Sequence, residues 1–216
     1  MSKELMDAIT TPTSAVQLLV FARVPALGQV KTRLAAGVGD TEALAIYHEL
    51  LGITRAAIAE AGVAATVWLA GTAGPEPTAL EAQEWAQLTA RSQQAGDLGQ
   101  RMTAAFAAAF AAGAEKVAII GTDCPGLRPE HLTEAFALLS QHDVVLGPAT
   151  DGGYYLLGLR QPQPELFQNK AWSTETVLAD TVADARRLGR RVALLPELHD
   201  VDTAEDLATW RAAIEG

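Results

Sequence analysis

The chain reads as an α/β protein, three layers deep, with helices on both faces of a mostly parallel, twisted sheet. Three observations predict this. Strand-like apolar runs alternate with helix-like segments from end to end, and that alternation calls for parallel strands joined by right-handed helical crossovers. The runs Val16–Ala22 and Val117–Ile120 are apolar almost without interruption, as strands covered on both faces are. At 216 residues and 49% hydrophobic content, the chain suits one large domain, residues 15–216, with a sizeable core.

Taken in order, Met1 to Ser14 carries Lys3, Glu4 and Asp7 and has no long apolar core, so a loose amino-terminal segment is expected there. Val16–Ala22 is the first strand, followed by a loop over Arg23–Arg33 punctuated by Pro25 and Gly28. From Asp40 to Ala61, Leu44, Tyr47, Leu51 and Ile58 recur at helical spacing, with Asp40 or Thr41 as cap and Gly62 as terminator. Val63–Ala70 is a second strand. A short helix over Thr78–Trp85 and a short strand over Leu88–Arg91 follow. Leu98–Ala112 is an Ala-rich helix closed by Gly113. Lys116–Gly121 is the next strand, and Pro129–Gln141 a helix with Pro in its first turn. Val144–Gly147 is a strand, and Tyr154–Leu159 folds back after Asp151-Gly152-Gly153. A Pro-rich connection at 162–164 leads to a helix over Ser173–Leu188, a strand over Arg191–Leu195 and a final helix over Thr203–Ile214.

The formal net charge of −10 argues against a non-specific nucleic-acid binder, which needs a basic patch to displace counterions. It is compatible with a mononucleotide, whose charge a metal or a few local basic residues can offset. A single Cys rules out an internal disulfide and suits a reducing compartment. No apolar stretch reaches the length a bilayer needs. The expectation is a soluble cytoplasmic protein.

The centre of the chain is Gly121-Thr-Asp-Cys-Pro-Gly126, where a buried strand delivers one carboxylate, Asp123, to its carboxyl end. Open α/β sheets bind ligands just outside the carboxyl ends of their strands. A carboxylate there is a natural ligand for a hard divalent cation carrying a phosphate, although Asp also suits a turn or a helix cap. The loop after the first strand holds Arg23, Lys31 and Arg33, three of only 16 basic residues. Lys31 and Arg33 are two apart and point the same way if extended. Arg offers phosphate a forked donor set and Lys a compact charge. The Gly-x4-Gly-Lys-Ser/Thr loop is absent. Gly28 is positioned to let the backbone approach a ligand.

Gln93-Gln-Ala-Gly-Asp97-Leu-Gly99-Gln-Arg101 enters a helix start, where free amides favour an anion and a Gln amide can read a base edge. Asp97 equally suits the helix cap, and Arg101 a pairing with it. Asp151-Gly152-Gly153-Tyr154 places a carboxylate beside two flexible residues and an aromatic, and Asp-Gly is also a hairpin signal. His199-Asp-Val-Asp202 follows the last strand. Asp202 can complete a metal site with Asp123 or cap the helix behind it, and His199 is a softer ligand. Cys124 has no evident base and reads as a small buried hydrophobe.

Together, Phe21-Ala-Arg-x-Pro-x-x-Gly-x-Val-Lys-Thr-Arg-Leu34, Gly96-Asp-Leu-Gly-x-Arg-Met102, Gly121-Thr-Asp-Cys-Pro125 and Gly147-Pro-x-x-Asp-Gly-Gly-Tyr-Tyr-Leu-Leu-Gly158 resemble a bacterial family. It is the glycosyltransferase-A-like family known as radical-SAM/selenodomain-associated transferase 1. Trp172-Ser-Thr and Asp200-Val-Asp-Thr-x-Glu-Asp-Leu207 also match, so the resemblance runs over about residues 16–210. The closing motif is similar as well to 2-phospholactate and molybdenum-cofactor guanylyltransferases.

The resemblance implies the nucleotide-diphospho-sugar transferase (GT-A-like) fold, a nucleotide over the first half of the sheet, and Mg²⁺ or Mn²⁺ on Asp123. The family's Asp-x-Asp is Asp-Cys-Pro here, so a second ligand must come from Asp202, Asp151 or His199. On this resemblance, Arg23, Lys31, Arg33, Asp97, Gly99 and Arg101 hold the nucleotide and its phosphates. Gly152, Gly153 and Tyr154 face a small-molecule acceptor, with Asp151 as base. The nucleotidyltransferase loop, richer in Gly and carrying Pro-Lys, is reduced here to Lys31-Thr-Arg33. That favours glycosyl transfer from a nucleotide sugar. Nucleotidyl transfer from an NTP, with Lys31 catalytic, is the alternative, and a non-catalytic nucleotide-binding module the third.

Overall fold

The computed structural model describes residues 15–215; the amino-terminal segment expected to be loose lies outside them. Seven strands form one sheet: β1 (Val16–Arg23), β2 (Ala65–Ala70), β3 (Thr89–Ser92), β4 (Lys116–Ile120), β5 (Val144–Pro148), β6 (Tyr154–Leu159) and β7 (Val192–Leu194). Their order is β3-β2-β1-β4-β6-β5-β7. All neighbours run parallel except β6, which is antiparallel to both β4 and β5. The helices are α1 (Thr32–Val38), α2 (Asp40–Ala61), α3 (Leu98–Ala111), α4 (Pro129–Leu138), α5 (Val177–Arg187) and α6 (Ala204–Glu215). None of the described helices is long and apolar enough to cross a membrane.

Alternation along the central strands sets the layers. Leu18 and Val20 of β1 point to a cluster with Tyr47, Leu51 and Ile58 of α2 and Leu132, Ala135 and Phe136 of α4. Leu19 points to the other face, with Met102, Ala105 and Phe106 of α3 and Ala185 of α5. A smaller cluster, Leu34, Ala43, Ile46, Leu50 and Val201, ties α1 and α2 to the segment before α6. The central strands β1 and β4 carry side chains into both main clusters, which is why they read as continuous apolar runs.

The departures from expectation are local. The segment from Lys31 is not extended: Thr32 opens a helix, and Lys31 caps it in a left-handed conformation at φ 48°. Side-chain alternation therefore does not govern Lys31 and Arg33. The helix expected over Thr78–Trp85 is reduced to a 3₁₀ turn at Gln83–Trp85 that buries Trp85. A second 3₁₀ turn, Pro164–Phe167, occupies the Pro-rich connection, and α5 starts at Val177 rather than Ser173. Gly28 adopts φ 71° in a turn facing Asp40, so its freedom shapes the loop rather than admitting a ligand.

Leu156 is fully buried in β6, opposite Ile120 of β4 and Gly147 of β5. We expect Leu156→Ala to cost about 2–5 kcal/mol, read as a fall in the denaturation midpoint at unchanged slope in urea.

Candidate active site at the carboxyl edge of the sheet

The carboxyl ends of β1, β2 and β4 open into a cavity of about 440 Å³. Arg23, Lys31, Arg33 and Arg101 line it together with Asp123 and Asp202. A second cavity of about 270 Å³ adjoins it, lined by Asp151, Gly153, Trp172, Ser173, Thr174 and Asp200 among others. Leu98, Gly121, Asp123, Tyr154, Tyr155 and Asp202 line both and form the divide between them.

Lys31 stands at that divide. Its side chain is 5% exposed, and its ammonium pairs with Oδ1 of Asp123 and, at 2.9 Å, with Oδ1 of Asp202. Burial alone would push the Lys31 pKa down. The charges of Asp123 and Asp202 and the hydrogen bonds to both outweigh it, so the ammonium is held above its ordinary value. Arg33 reaches the other oxygen of Asp202 at 3.4 Å. The chain thus brings Asp123, from the end of β4, and Asp202, from 79 positions further on, onto one cation. The backbone is tied at the same place, where Val201 N–H donates to the Asp123 carbonyl at 2.9 Å.

The capping alternatives for these two carboxylates fall away. At the start of α6, Asp206 accepts from the amides of Asp202 and Thr203 and from the Thr203 hydroxyl, leaving the Asp202 side chain to Lys31 and Arg33. At the start of α4, the Arg128 amide donates to Nδ1 of His131, and Asp123 takes no part.

Other expected site residues are engaged differently, some of them away from both cavities. Asp97 caps α3, accepting from the Gln100 amide at 2.8 Å while Gln100 reaches back to the Asp97 amide. It lines neither cavity, because the capping box turns its carboxylate to the helix. Gly99 is buried against Phe167 and Trp172, and a Cβ there would lie 2.6 Å from the Phe167 carbonyl; its smallness serves packing. Arg101 lines the larger cavity but donates through Nε to the Gly96 carbonyl at 2.8 Å. His199 does not join the carboxylates: its Nδ1 lies 3.1 Å from the Thr150 hydroxyl, and it lines neither cavity. Gln93 lines the larger cavity with its amide nitrogen committed to the Ala22 and Trp68 carbonyls, so its oxygen is what it can offer a ligand.

Asp151 takes part in the hairpin and also faces a cavity. Its Oδ1 accepts from Gly153 N–H at 2.8 Å within the β5–β6 hairpin, and the side chain lines the smaller cavity. Gly152 lines neither cavity. It has φ 86°, and a Cβ there would lie 2.1 Å from the Glu175 carbonyl, so it fastens the hairpin to the 172–176 segment. Tyr154 borders both cavities, but its hydroxyl is buried, and burial pushes its pKa up. It offers ring surface rather than a proton.

Tyr47 was not singled out from sequence as a site residue, and Asp200 was read only as part of the closing motif beside Asp202. Tyr47 sits in the apolar stripe of α2, yet its hydroxyl accepts the Arg23 amide at 2.8 Å and donates to the Arg23 carbonyl at 3.1 Å, fixing the start of the basic loop. A tyrosine in a stripe otherwise built of Leu and Ile was the available signal. Asp200 lines the smaller cavity half-buried, and its carboxyl is pushed up by burial first and the Asp151 charge second.

Among the described residues, no group of three or more His, Cys, Asp or Glu is gathered to cage a metal. The Asp123–Asp202 pair fits a different requirement. Mg²⁺ is commonly held by one or two carboxylates plus substrate phosphates, and both carboxylates already converge on one ammonium.

Known proteins resemble this chain in sequence and fold. A family model described as "Uncharacterized protein conserved in bacteria (DUF2064)" matches residues 53–174. A protein from Desulfovibrio desulfuricans G20, provisionally named a nucleotide-diphospho-sugar transferase, is 32% identical over 91% of this chain and 86% of that one, with a TM-score of 0.84. The 3-phospho-D-glycerate guanylyltransferase of Phenylobacterium zucineum is 34% identical over 142 residues, and this chain spans 62% of its length. The inositol-1-phosphate CTP transferase of T. maritima is 13% identical with a TM-score of 0.58, a likeness of fold. The fold is that of the nucleotide-diphospho-sugar transferases.

Two outcomes follow from this geometry. Lys31→Met leaves two facing carboxylates without their cation. It should destabilise the protein by about 1–2 kcal/mol in urea, less than a fully buried pair costs, because Asp123 and Asp202 keep 47% and 37% of their side chains exposed. Cys124 is buried, and its thiol is pushed up by burial and then by Asp123. It should resist iodoacetamide at pH 8 in the native state and react only in denaturant.

Proposed function

We propose, for a chain that belongs to the DUF2064 family of bacterial proteins, a metal-assisted glycosyl transfer from a nucleotide-diphosphate sugar to a small acceptor in the cytoplasm. The observation that carries the reading is the convergence of Asp123 and Asp202 on one cation, beside Arg23, Arg33 and Arg101 at the carboxyl edge of the sheet. Cations at this edge suit a diphosphate, and the carboxylate pair suits the Mg²⁺ or Mn²⁺ that travels with it. The radical-SAM/selenodomain-associated resemblance is part of the same reading.

On this reading Asp123 and Asp202 would hold the divalent ion, which when bound would supply positive charge to the leaving diphosphate. The Lys31 ammonium, which neutralises the pair otherwise, would then be free to face the phosphates. Arg23 and Arg33 hold the diphosphate's charge, with Tyr47 fixing the Arg23 backbone. Asp151 stands in the adjoining cavity, with one oxygen fixed by Gly153. It takes the proton of the acceptor hydroxyl as that oxygen bonds to the sugar carbon. The carbon's bond to the diphosphate oxygen breaks, and the nucleoside diphosphate leaves with the electron pair.

Nucleotidyl transfer is the second reading, and the guanylyltransferase relative is the observation that favours it. What supports glycosyl transfer over it is that the relative named for nucleotide-diphospho-sugars matches over far more of the chain.

Titration calorimetry with UDP- and GDP-sugars in Mn²⁺ should show binding by the wild type and at least about tenfold weaker binding by Asp123→Ala, the scale that even outer-shell substitutions reach at metal sites. Equal binding by the two proteins would overturn the metal assignment. Pyrophosphate released from an NTP, with no sugar transferred, would establish the second reading in place of the first.

A further inference from the structure

The charge of the two cavities is partitioned. Every Lys and Arg that lines either of them lies on the larger one: Arg23, Lys31, Arg33 and Arg101. No Lys, Arg or His lines the smaller one, whose carboxylates are Asp123, Asp151, Asp200 and Asp202. Lys31 answers two of these, Asp123 and Asp202. Asp151 and Asp200 face the smaller cavity with no cation among its lining residues, and among the described residues neither forms an ion pair.

The first two amides of α5 offer an anion little more. α5 begins at Val177, on the wall of this cavity, and a helix start is an anion site when its first amides are free. Here the Val177 amide is turned to the Thr174 carbonyl at 3.4 Å, and the Leu178 amide donates to the Gly152 carbonyl at 3.0 Å. The half-buried Trp172 indole and the hydroxyls of exposed Ser173 and Thr174 stand on the same wall. The Thr174 hydroxyl donates to the Ala171 carbonyl, so what it shows a ligand is an acceptor. An aromatic face beside several hydrogen-bond acceptors suits a ligand with an apolar face and several O–H donors.

We infer that the smaller cavity takes an uncharged, hydroxyl-bearing acceptor such as a glycoside or polyol, laid on Trp172, and rejects one carrying a phosphate. This rests on the donor occupying the larger cavity. It goes beyond that reading by naming the acceptor's class, and it separates this chain from the phosphorylated acceptor in the name of its guanylyltransferase relative. A phosphate here would meet Asp151 and Asp200 unneutralised, a like-charge arrangement that binding sites use to exclude wrong partners.

The test is made on the full chain labelled with ¹⁵N at its four Trp indoles, with Trp172→Phe identifying the Trp172 resonance. Methyl glucoside and its 6-phosphate are titrated separately, with Mg²⁺ present and with or without GDP or UDP. The Trp172 resonance should move with methyl glucoside, and the 6-phosphate should need at least about ten times the concentration, a difference of about 1.4 kcal/mol. Thr174→Arg, which adds a cation to an exposed wall position, should narrow that gap several-fold. Equal or tighter binding of the 6-phosphate, or no movement of Trp172 with either probe, overturns the inference. A protein that binds the neutral probe and no nucleotide keeps this assignment and sinks the donor reading. One that binds nucleotide but prefers the 6-phosphate does the reverse.

Discussion

Everything at the carboxyl edge of the sheet is arranged around the Lys31 ammonium. A buried amine next to a sheet edge is costly unless compensated, and here two carboxylates from distant parts of the chain supply the compensation. The arrangement has structural and chemical sides at once. It pins the segment before α6 to the end of β4, a junction also closed by the Val201 amide. It also holds the Asp123 and Asp202 carboxylates close together, the arrangement that suits a divalent cation with a phosphate. The left-handed backbone at Lys31 is part of the same design. Such a conformation costs a non-Gly residue free energy, and it aims the side chain inward just as α1 begins.

How legible was this from sequence? The layered fold was, because central strands of a parallel sheet are apolar on both faces, and Val16–Arg23 and Lys116–Ile120 could hardly be anything else. The convergence of Asp123 and Asp202 was legible for a related reason: each follows a strand, and strand ends in a parallel sheet share an edge. Where the reading failed, a short-range hydrogen bond decided the outcome. Asp97 was equally plausible as ligand or cap, and only the position of Gln100 three residues on settles it as a cap. His199 has the right residue type and neighbours, but its ring turns to Thr150. The helix at Thr32–Val38 was hidden because the loop's Pro and Gly suggested irregular chain up to Arg33. Tyr47 was hidden because its ring belongs to the core and only its hydroxyl to the site.

The partition of charge between the two cavities also has a topological origin. The larger cavity lies over β1, β2 and β4, where the loop after β1 supplies the cations. The smaller one is framed by the β5–β6 hairpin, the 172–176 segment and the turn before α6, which supply carboxylates and hydroxyls. The border between them is the Asp123–Lys31–Asp202 contact. A reaction that joins a phosphorylated donor to an uncharged acceptor would place its reacting atoms at that border, where the sign of the lining changes.

The strand order has a consequence for how the chain reaches this state. β5 and β6 are close in sequence and joined by a tight turn, so their ladder closes a small loop and can form early. β1 must instead find β4 about a hundred positions away, in parallel register from Val16 opposite Lys116 to Val20 opposite Ile120. Closing so large a loop before its contacts reward it is the slow part of assembly. The two walls of the site are therefore made on different timescales: the hairpin carrying Asp151 belongs to a locally encoded unit, while the Lys31 contact with Asp123 and Asp202 exists only once the two halves of the sheet have met.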